Sequence, residues 1–280
     1  MSGTLAQALQ HGLSLGLPRL EVQMLLLLAV QQDPAHRAWL LAHDQDRLSA
    51  DSAARYEALL QRRCDGEPLA YLRGSKEFFG LSLQVDARVL DPRDDTETLV
   101  EWALACLKEM RPSAPQVLDL GTGSGAIALA LQAQYPQAQV WAVDASEAAL
   151  VVAQGNADRL ALPIRCIRSH WFDALAGQQF DLVVSNPPYI AENDPHLPAL
   201  RHEPLCALVS GRDGLDDMRA LVAAAPRHLQ AHGWLLLEHG HDQAQAVRAL
   251  LCQAGFAAVQ SRCDLAGIER CSGGYWPGVK

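Results

Sequence analysis

Two short stretches hold residue types whose spacing can do chemistry. The first is V-L-D-L-G-T-G-S-G-A-I-A-L, residues 117–129, in which Gly121, Gly123 and Gly125 stand between an apolar strand and an apolar helix. Glycine permits a tight turn there and lets a ligand lie against the backbone. One strand later, Asp144 closes V-W-A-V-D and places a carboxylate where two ribose hydroxyls can donate to it. Asp119 sits inside the first strand, and an ionisable group in a buried strand is costly unless paired. A ligand carrying an ammonium group would pair it. The second stretch is F-D-L-V-V-S-N-P-P-Y-I-A-E, residues 180–192. It sets Asn186, Pro187, Pro188 and Tyr189 behind another strand, with no obvious acid, base or nucleophile, at the strand end where a parallel sheet usually binds its ligands.

The glycine turn also fits the G-x-G-x-x-G/A dinucleotide pattern, since Ala126 occupies the last small position. A nicotinamide enzyme therefore competes with an S-adenosylmethionine enzyme. S-adenosylmethionine has ribose hydroxyls, an ammonium and a carboxylate but no phosphate, which suits Asp144 and Asp119 better. Glycine spacing alone does not separate the two.

The elements that must position these residues follow from periodicity. Residues 1–72 read as four or five short helices, with Leu, Ala and Met at three- and four-residue spacing, Pro18 and Pro34 at breaks, and Ser49 or Asp51 as a cap. Residues 77–90 change to strand-like alternation with a turn at Gly80, so 73–92 is expected to be a β-hairpin linker. From residue 93 to 280 strand and helix patterns alternate. That order implies an α/β fold: a doubly wound, Rossmann-like, mostly parallel sheet of seven strands with helices on both faces.

Composition narrows the function classes. The net charge of -9 argues against a surface built to neutralise phosphates, so no direct nucleic-acid partner is expected. The longest apolar run, Met24 to Val30, is too short to cross a bilayer, and the start lacks a secretory pattern, so the expected site is the cytoplasm, with no membrane partner. Seven cysteines, odd in number and never spaced C-x-x-C, suggest reduced, mostly buried thiols and no zinc ribbon. His239 and His241 in E-H-G-H-D lack a clustered third ligand, so we read them as a surface loop and expect no metal.

S-N-P-P-Y-I after the fourth strand, taken with the glycine turn and Asp144, resembles the class I S-adenosylmethionine-dependent methyltransferases that act on amino nitrogens conjugated to a π system. The wider match is narrower in meaning. G-E-P-L-A-Y-L-R-G-S-K-E-F-F-G from residue 66, S-H-W-F-D-A-L, R-H-E-P-L-C-A-L-V-S-G-R-D-G-L-D, L-L-L-E-H-G-H-D-Q and D-L-A-G-I-E-R run in order to about residue 270. Together they resemble the peptide chain release factor glutamine methyltransferases, the PrmC/HemK family. The resemblance implies methyl transfer to the glutamine amide nitrogen (N5) in the Gly-Gly-Gln motif of class I release factors, leaving S-adenosylhomocysteine. It assigns Gly121, Thr122, Gly123, Ser124, Gly125, Asp144 and Trp171 to the cofactor, and Asp119, read from its buried strand position, and Asn186 complete the expected cofactor set. Asn186, Pro187, Pro188 and Tyr189 fall to the glutamine: the Asn186 side-chain oxygen and the Pro187 carbonyl accept its N–H bonds, the prolines stiffen the loop, and Tyr189 stacks on the planar amide. The helical segment would grip the release factor, and the enzyme is expected to be a monomer. An amino-methyltransferase acting on adenine or guanine, and a non-catalytic release-factor-binding module, are the alternatives.

The chain departs from the family pattern at His170, usually Asp, at Asp91 and Asp94, usually apolar and Pro, and at His202, usually aromatic. Phe78 and Phe79 read as core of the hairpin or as lining of the glutamine pocket, and Glu203 as an ion-pair member or a shaper of that pocket.

Overall fold

The structure is a computed structural model, described here for residues 3–110 and 113–278. The chain divides into two compact units, Met1–Ser75 and Lys76–Lys280.

The first unit is helical: α1 (Leu5–Ser14), α2 (Arg19–Ala29), α3 (Arg37–Ala42), α4 (Ala50–Cys64) and α5 (Leu69–Arg73). Thr4 begins α1 with a reciprocal capping box to Gln7, and the Ser49 hydroxyl, not Asp51, caps α4 by accepting from Ser52 N. Val22, Leu25, Leu26 and Leu27 of α2 meet Leu5, Tyr56 and Leu60 in one buried cluster. The Tyr56 hydroxyl donates to the Ala8 carbonyl, 3.1 Å away, so the polar tip of this core residue is satisfied.

The second unit opens with the hairpin strand β1 (Ser75–Phe78), which starts one residue before the division, and its partner β2 (Leu81–Gln84). There follow α6 (Glu97–Met110), β3 (Gln116–Leu120), α7 (Ala126–Gln134), β4 (Gln139–Asp144), α8 (Glu147–Leu160), β5 (Arg165–Arg168) and β6 (Phe180–Ser185). The chain closes with α9 (Asp216–Ala224), β7 (Leu229–Glu238), α10 (Ala244–Gln253), β8 (Ala257–Cys263) and β9 (Glu269–Tyr275). Seven strands form one sheet in the order β5-β4-β3-β6-β7-β9-β8, and only β9 runs antiparallel. β3 and the inner strands read as continuous apolar runs because both faces are covered.

The order places the site. From β3 the chain winds outward to β4 and β5, then returns to β6 on the other side of β3 and winds on to β7. The crevice at such a reversal lies outside the carboxyl ends of the two adjacent strands. Leu120 pairs with Ser185, and the Ser185 hydroxyl donates to the Leu120 carbonyl at 2.6 Å. Gly121 and Asn186 thus emerge side by side.

Two expectations need correction. Of the seven cysteines only Cys106 and Cys271 are buried; Cys64, Cys206, Cys252 and Cys263 are exposed, because they fall at helix or strand ends and on outward faces that composition does not reveal. His239 is not on a surface loop but fully buried, with Nε2 2.8 Å from the Ser272 hydroxyl and Nδ1 2.9 Å from the Gly240 carbonyl. Strand β9 covers it, and burial lowers its pKa. His241 is exposed, and among the described residues no three His, Cys, Asp or Glu side chains gather as a metal site.

Candidate active site

The glycine turn leaves β3 with Gly121, Gly123 and Gly125 all at positive φ, between 55° and 84°. At Gly125, φ +84°, a Cβ would lie 3.1 Å from Leu129 Cδ1 and 3.3 Å from Ala153 Cβ, so a side chain there would be strained and would push on the packing of α7. Beneath the turn, Asp119 is fully buried: its Oδ2 accepts from the Thr122 hydroxyl at 2.7 Å and from Ala128 N at 3.2 Å, while Oδ1 has no partner. Burial pushes its pKa up to about 7. Asp144 grips the turn from β4, with Oδ2 accepting from Gly123 N at 2.9 Å and Oδ1 from Ser146 N at 2.8 Å. Burial raises its pKa as well, against backbone hydrogen bonds from Ser146, Gly123 and Ala145.

A cavity of about 250 Å³ opens over the turn, lined by Gly121, Gly123, Asp144, His170, Trp171 and Asn186 among others, with Pro188 at its side. The Trp171 ring lies over Gly121, and its Nε1 donates to Asp217 Oδ1 at 3.1 Å. A second cavity of about 200 Å³ is lined by Leu90, Arg93, Asn186, Tyr189, Leu200 and Leu208. Asn186 borders both.

The loop carrying Asn186 is held from several directions. Gln243 Nε2 donates to the Tyr189 carbonyl at 3.0 Å, and Ile190 exchanges backbone bonds with Leu208 and Ser210 at 2.8 and 2.9 Å. Burial pushes the Tyr189 phenol up to about 12, so it stays neutral.

Gly121, Gly123, Asp144, Trp171, Asn186 and Pro188 therefore meet at the first cavity, and Asn186 and Tyr189 at the second. Asp119, Thr122, Ser124, Gly125 and Pro187 line neither and lie behind as support. Phe78 is buried and Phe79, half-buried at positive φ in the hairpin turn, donates its N–H to Glu97 at 2.7 Å; neither borders these cavities. Glu203 accepts from Arg93 Nη2 at 2.6 Å and from Asp91 N at 3.2 Å, which makes it an ion-pair member that fixes one wall of the second cavity. Asp94 pairs with Lys76 at 2.8 Å. His170 is largely exposed at the mouth of the first cavity.

Four functional neighbours escaped the sequence reading. Asn156, fully buried, ties the hairpin to the glycine turn by bonding both Gln84 N and O and the Ser124 carbonyl. Gln243 clamps Tyr189, and Thr96 and Glu238 bond the Asn186 side chain. Only Glu238 left a signal, a carboxylate directly after the apolar run W-L-L-L.

Comparison with known proteins decides the family. The release factor glutamine methyltransferase of Bordetella pertussis is 51% identical over 263 residues, which cover 93% of this chain and 96% of that one. The chain belongs to the release factor glutamine methyltransferases. The Escherichia coli K12 release factor glutamine methyltransferase is 46% identical over 243 residues, 86% of this chain and 87% of its own. Family models agree by region: the PrmC N-terminal domain matches residues 5–74 and the methyltransferase small domain residues 99–202. Among solved structures, a methyltransferase from Pyrococcus furiosus aligns with TM-score 0.54 at 18% identity, over 81% of this chain and all of that one. The human Mettl16 catalytic domain bound to an RNA hairpin aligns with TM-score 0.58 at 16% identity, over 80% of this chain and 79% of that one. These last two show that the chain has the methyltransferase fold.

Proposed function

We propose that this protein methylates the side-chain amide nitrogen N5 of the glutamine in the Gly-Gly-Gln motif of class I release factors, with S-adenosylmethionine as methyl donor. The observation that carries the reading is Asn186, a carboxamide shared by two cavities at the reversal of the sheet.

The first cavity suits the donor. The Asp144 carboxylate takes backbone N–H bonds from Gly123, Ser146 and Ala145 and, with about four acceptor sites, keeps room for a ribose hydroxyl. Arg88, a cation on its wall, is forked onto Asp86 at 2.8 and 2.6 Å, so a pyrophosphate would meet the Asp144 carboxylate and compete with Asp86 for Arg88. Trp171 and Pro188 offer apolar surface beside it. The unpartnered Asp119 Oδ1 supplies negative potential under the turn for an ammonium group. Bound in this cavity, S-adenosylmethionine supplies an electrophilic methyl group on its sulfonium.

The second cavity suits a glutamine side chain. An amide nitrogen is a poor nucleophile because its lone pair is delocalised, so the residues must orient it rather than merely hold a base nearby. The Asn186 oxygen, on the border of both cavities, accepts an amide N–H and aims the lone pair at the first cavity, while Pro187, which lines neither, stiffens the loop between Asn186 and Pro188. Tyr189, held by Gln243, stacks against the planar amide. The helical unit engages the release factor; its groove of about 840 Å³, lined by Thr4, Gln7, His11, Ala53 and Glu57, gives that contact a place.

The test is methyl transfer from radiolabelled S-adenosylmethionine, with unmodified release factor, duplex DNA and ribosomal RNA offered in parallel and the product located by mass spectrometry. Label on the Gly-Gly-Gln glutamine, absent from a Gln→Ala release factor, is expected. Label confined to nucleic acid would overturn the substrate.

A further inference from the structure

Asn186 has two neighbours to which the reaction has so far given no task. Its Nδ2 donates to the Thr96 hydroxyl at 3.3 Å, and Thr96 is buried in the short 3-10 turn, Asp94–Thr96, that leads into α6. Glu238 ends β7, where Leu237 pairs with Ser185, so Glu238 comes level with Asn186. Its carboxyl group is buried and takes hydrogen bonds from the side chains of both Thr96 and Asn186. Oε2 has no partner, so both bonds fall to the other oxygen.

A buried carboxylate is costly, and among the described residues no cation forms an ion pair with this one alone. Arg270, the cation nearest in effect, is engaged with Asp95 and Asp264, each at 3.2 Å. The remaining ionisable neighbours, Tyr189 and Cys271, are held neutral by burial. Burial accordingly pushes Glu238 up to about 7. The strand that carries it, W-L-L-L-E, would continue its apolar run more cheaply with another leucine.

What the acid supplies is direction. The two ends of a carboxamide are nearly equal in size, so sterics do not choose which faces a cavity; hydrogen-bond partners do. The Thr96 hydroxyl has one proton, which goes to Glu238, and its lone pairs are left for Asn186 Nδ2. Glu238 also accepts from Asn186. Both partners call for the NH2 end, which turns the oxygen outward. Rotated by half a turn, Asn186 would offer N–H to the substrate's N–H, and the amide would not be held.

We propose that Glu238 and Thr96 are positioning residues that lock the Asn186 carboxamide with its NH2 inward, so that its oxygen is the group offered to the substrate amide. The inference rests on the reading of Asn186 as the acceptor for glutamine.

Two substitution pairs test it with purified full-length protein. Thr96→Val removes the hydroxyl at constant shape, and Thr96→Ser restores it. Glu238→Met removes the acceptor at similar volume, whereas Glu238→Gln keeps an oxygen that can accept. We expect Thr96→Val and Glu238→Met to lower kcat on release factor at least tenfold, with KM and the cofactor Kd within twofold of wild type. Thr96→Ser and Glu238→Gln should remain within about threefold of wild type in kcat. The Asn186 side-chain NH2 resonance, assigned by its loss in Asn186→Ala, should be protected from solvent exchange in wild type and lose protection in Thr96→Val. The proposal falls if Thr96→Val keeps kcat within threefold and its protection, or if Thr96→Ser loses as much as Thr96→Val. It also falls if cofactor affinity drops in step with kcat. A Glu238→Met protein that does not fold leaves the decision to the Thr96 pair. Wild-type protein that labels no glutamine while the NH2 is protected would refute the proposed function and leave the lock standing.

Discussion

Replacing Asp144 with Asn tests the cofactor cavity at its most constrained atom pair. In the folded protein Oδ1 accepts from Ser146 N and Oδ2 from Gly123 N, both within 2.9 Å. Asparagine keeps the volume but has one oxygen. Whichever way it turns, one backbone N–H faces an NH2 and one ribose hydroxyl loses its acceptor. A hydrogen bond to a charged group contributes about 1.5–3 kcal/mol. The turn should therefore lose about 2 kcal/mol, which for a unit of this size lowers the melting temperature by about 4–8 °C. Loss of the charged acceptor to a hydroxyl should weaken cofactor binding by a further 2 kcal/mol or so, roughly 30-fold in Kd at 1.4 kcal/mol per factor of ten. Titration calorimetry with S-adenosylmethionine and S-adenosylhomocysteine, paired with thermal unfolding without ligand, separates the two effects. A melting shift with Kd within threefold of wild type would show that Asp144 only braces the turn, and the ribose assignment would be wrong.

Other substitutions probe other links. Asn186→Ala should leave the cofactor Kd within about threefold and reduce methyl transfer by at least a hundredfold, read by calorimetry and label incorporation, because it removes orientation rather than the donor's site. Asp119, with a folded pKa near 7 and an ordinary value of 3.8, binds its proton more tightly in the folded state. Its contribution to stability is thus fully present below about pH 4 and is lost as pH rises through 7. Asp119→Asn, which stays neutral, should gain on wild type between pH 5 and 8 by up to about 3 kcal/mol in urea unfolding; a constant difference would refute the raised pKa. Gly214 has φ +74°, and a Cβ there would meet the Tyr189 carbonyl and lie 2.8 Å from Gln243 Nε2. Gly214→Ala should cost about 2 kcal/mol or more in stability and lower kcat by displacing Tyr189, measured by unfolding and turnover.

How far the sequence reached differs element by element. The strand β3 and its glycine turn are local: a short apolar run, then residues that tolerate positive φ, and both appear as read. The hairpin turn at Gly80 and the Ser49 cap are legible for the same reason, since each depends on neighbours within four residues. His239 failed because its environment is not local; β9, thirty residues on, closes over it. The cysteines failed likewise, since type gives an average burial and not the face of a particular helix.

By itself the sequence determined the alternation of strand and helix, the two loops that carry Gly121 and Asn186, and, through resemblance, the family. Those depend on periodicity and on short motifs whose residues are contiguous. Only the tertiary structure decided that the two loops lie side by side, because strand order is set by packing over the whole sheet and not by any one strand's pattern. It also decided which residues stand behind Asn186. Thr96 lies 90 positions before it and Glu238 well after it, and no spacing rule links them. They meet because β7 pairs with β6 in a register that puts a buried acid level with the carboxamide.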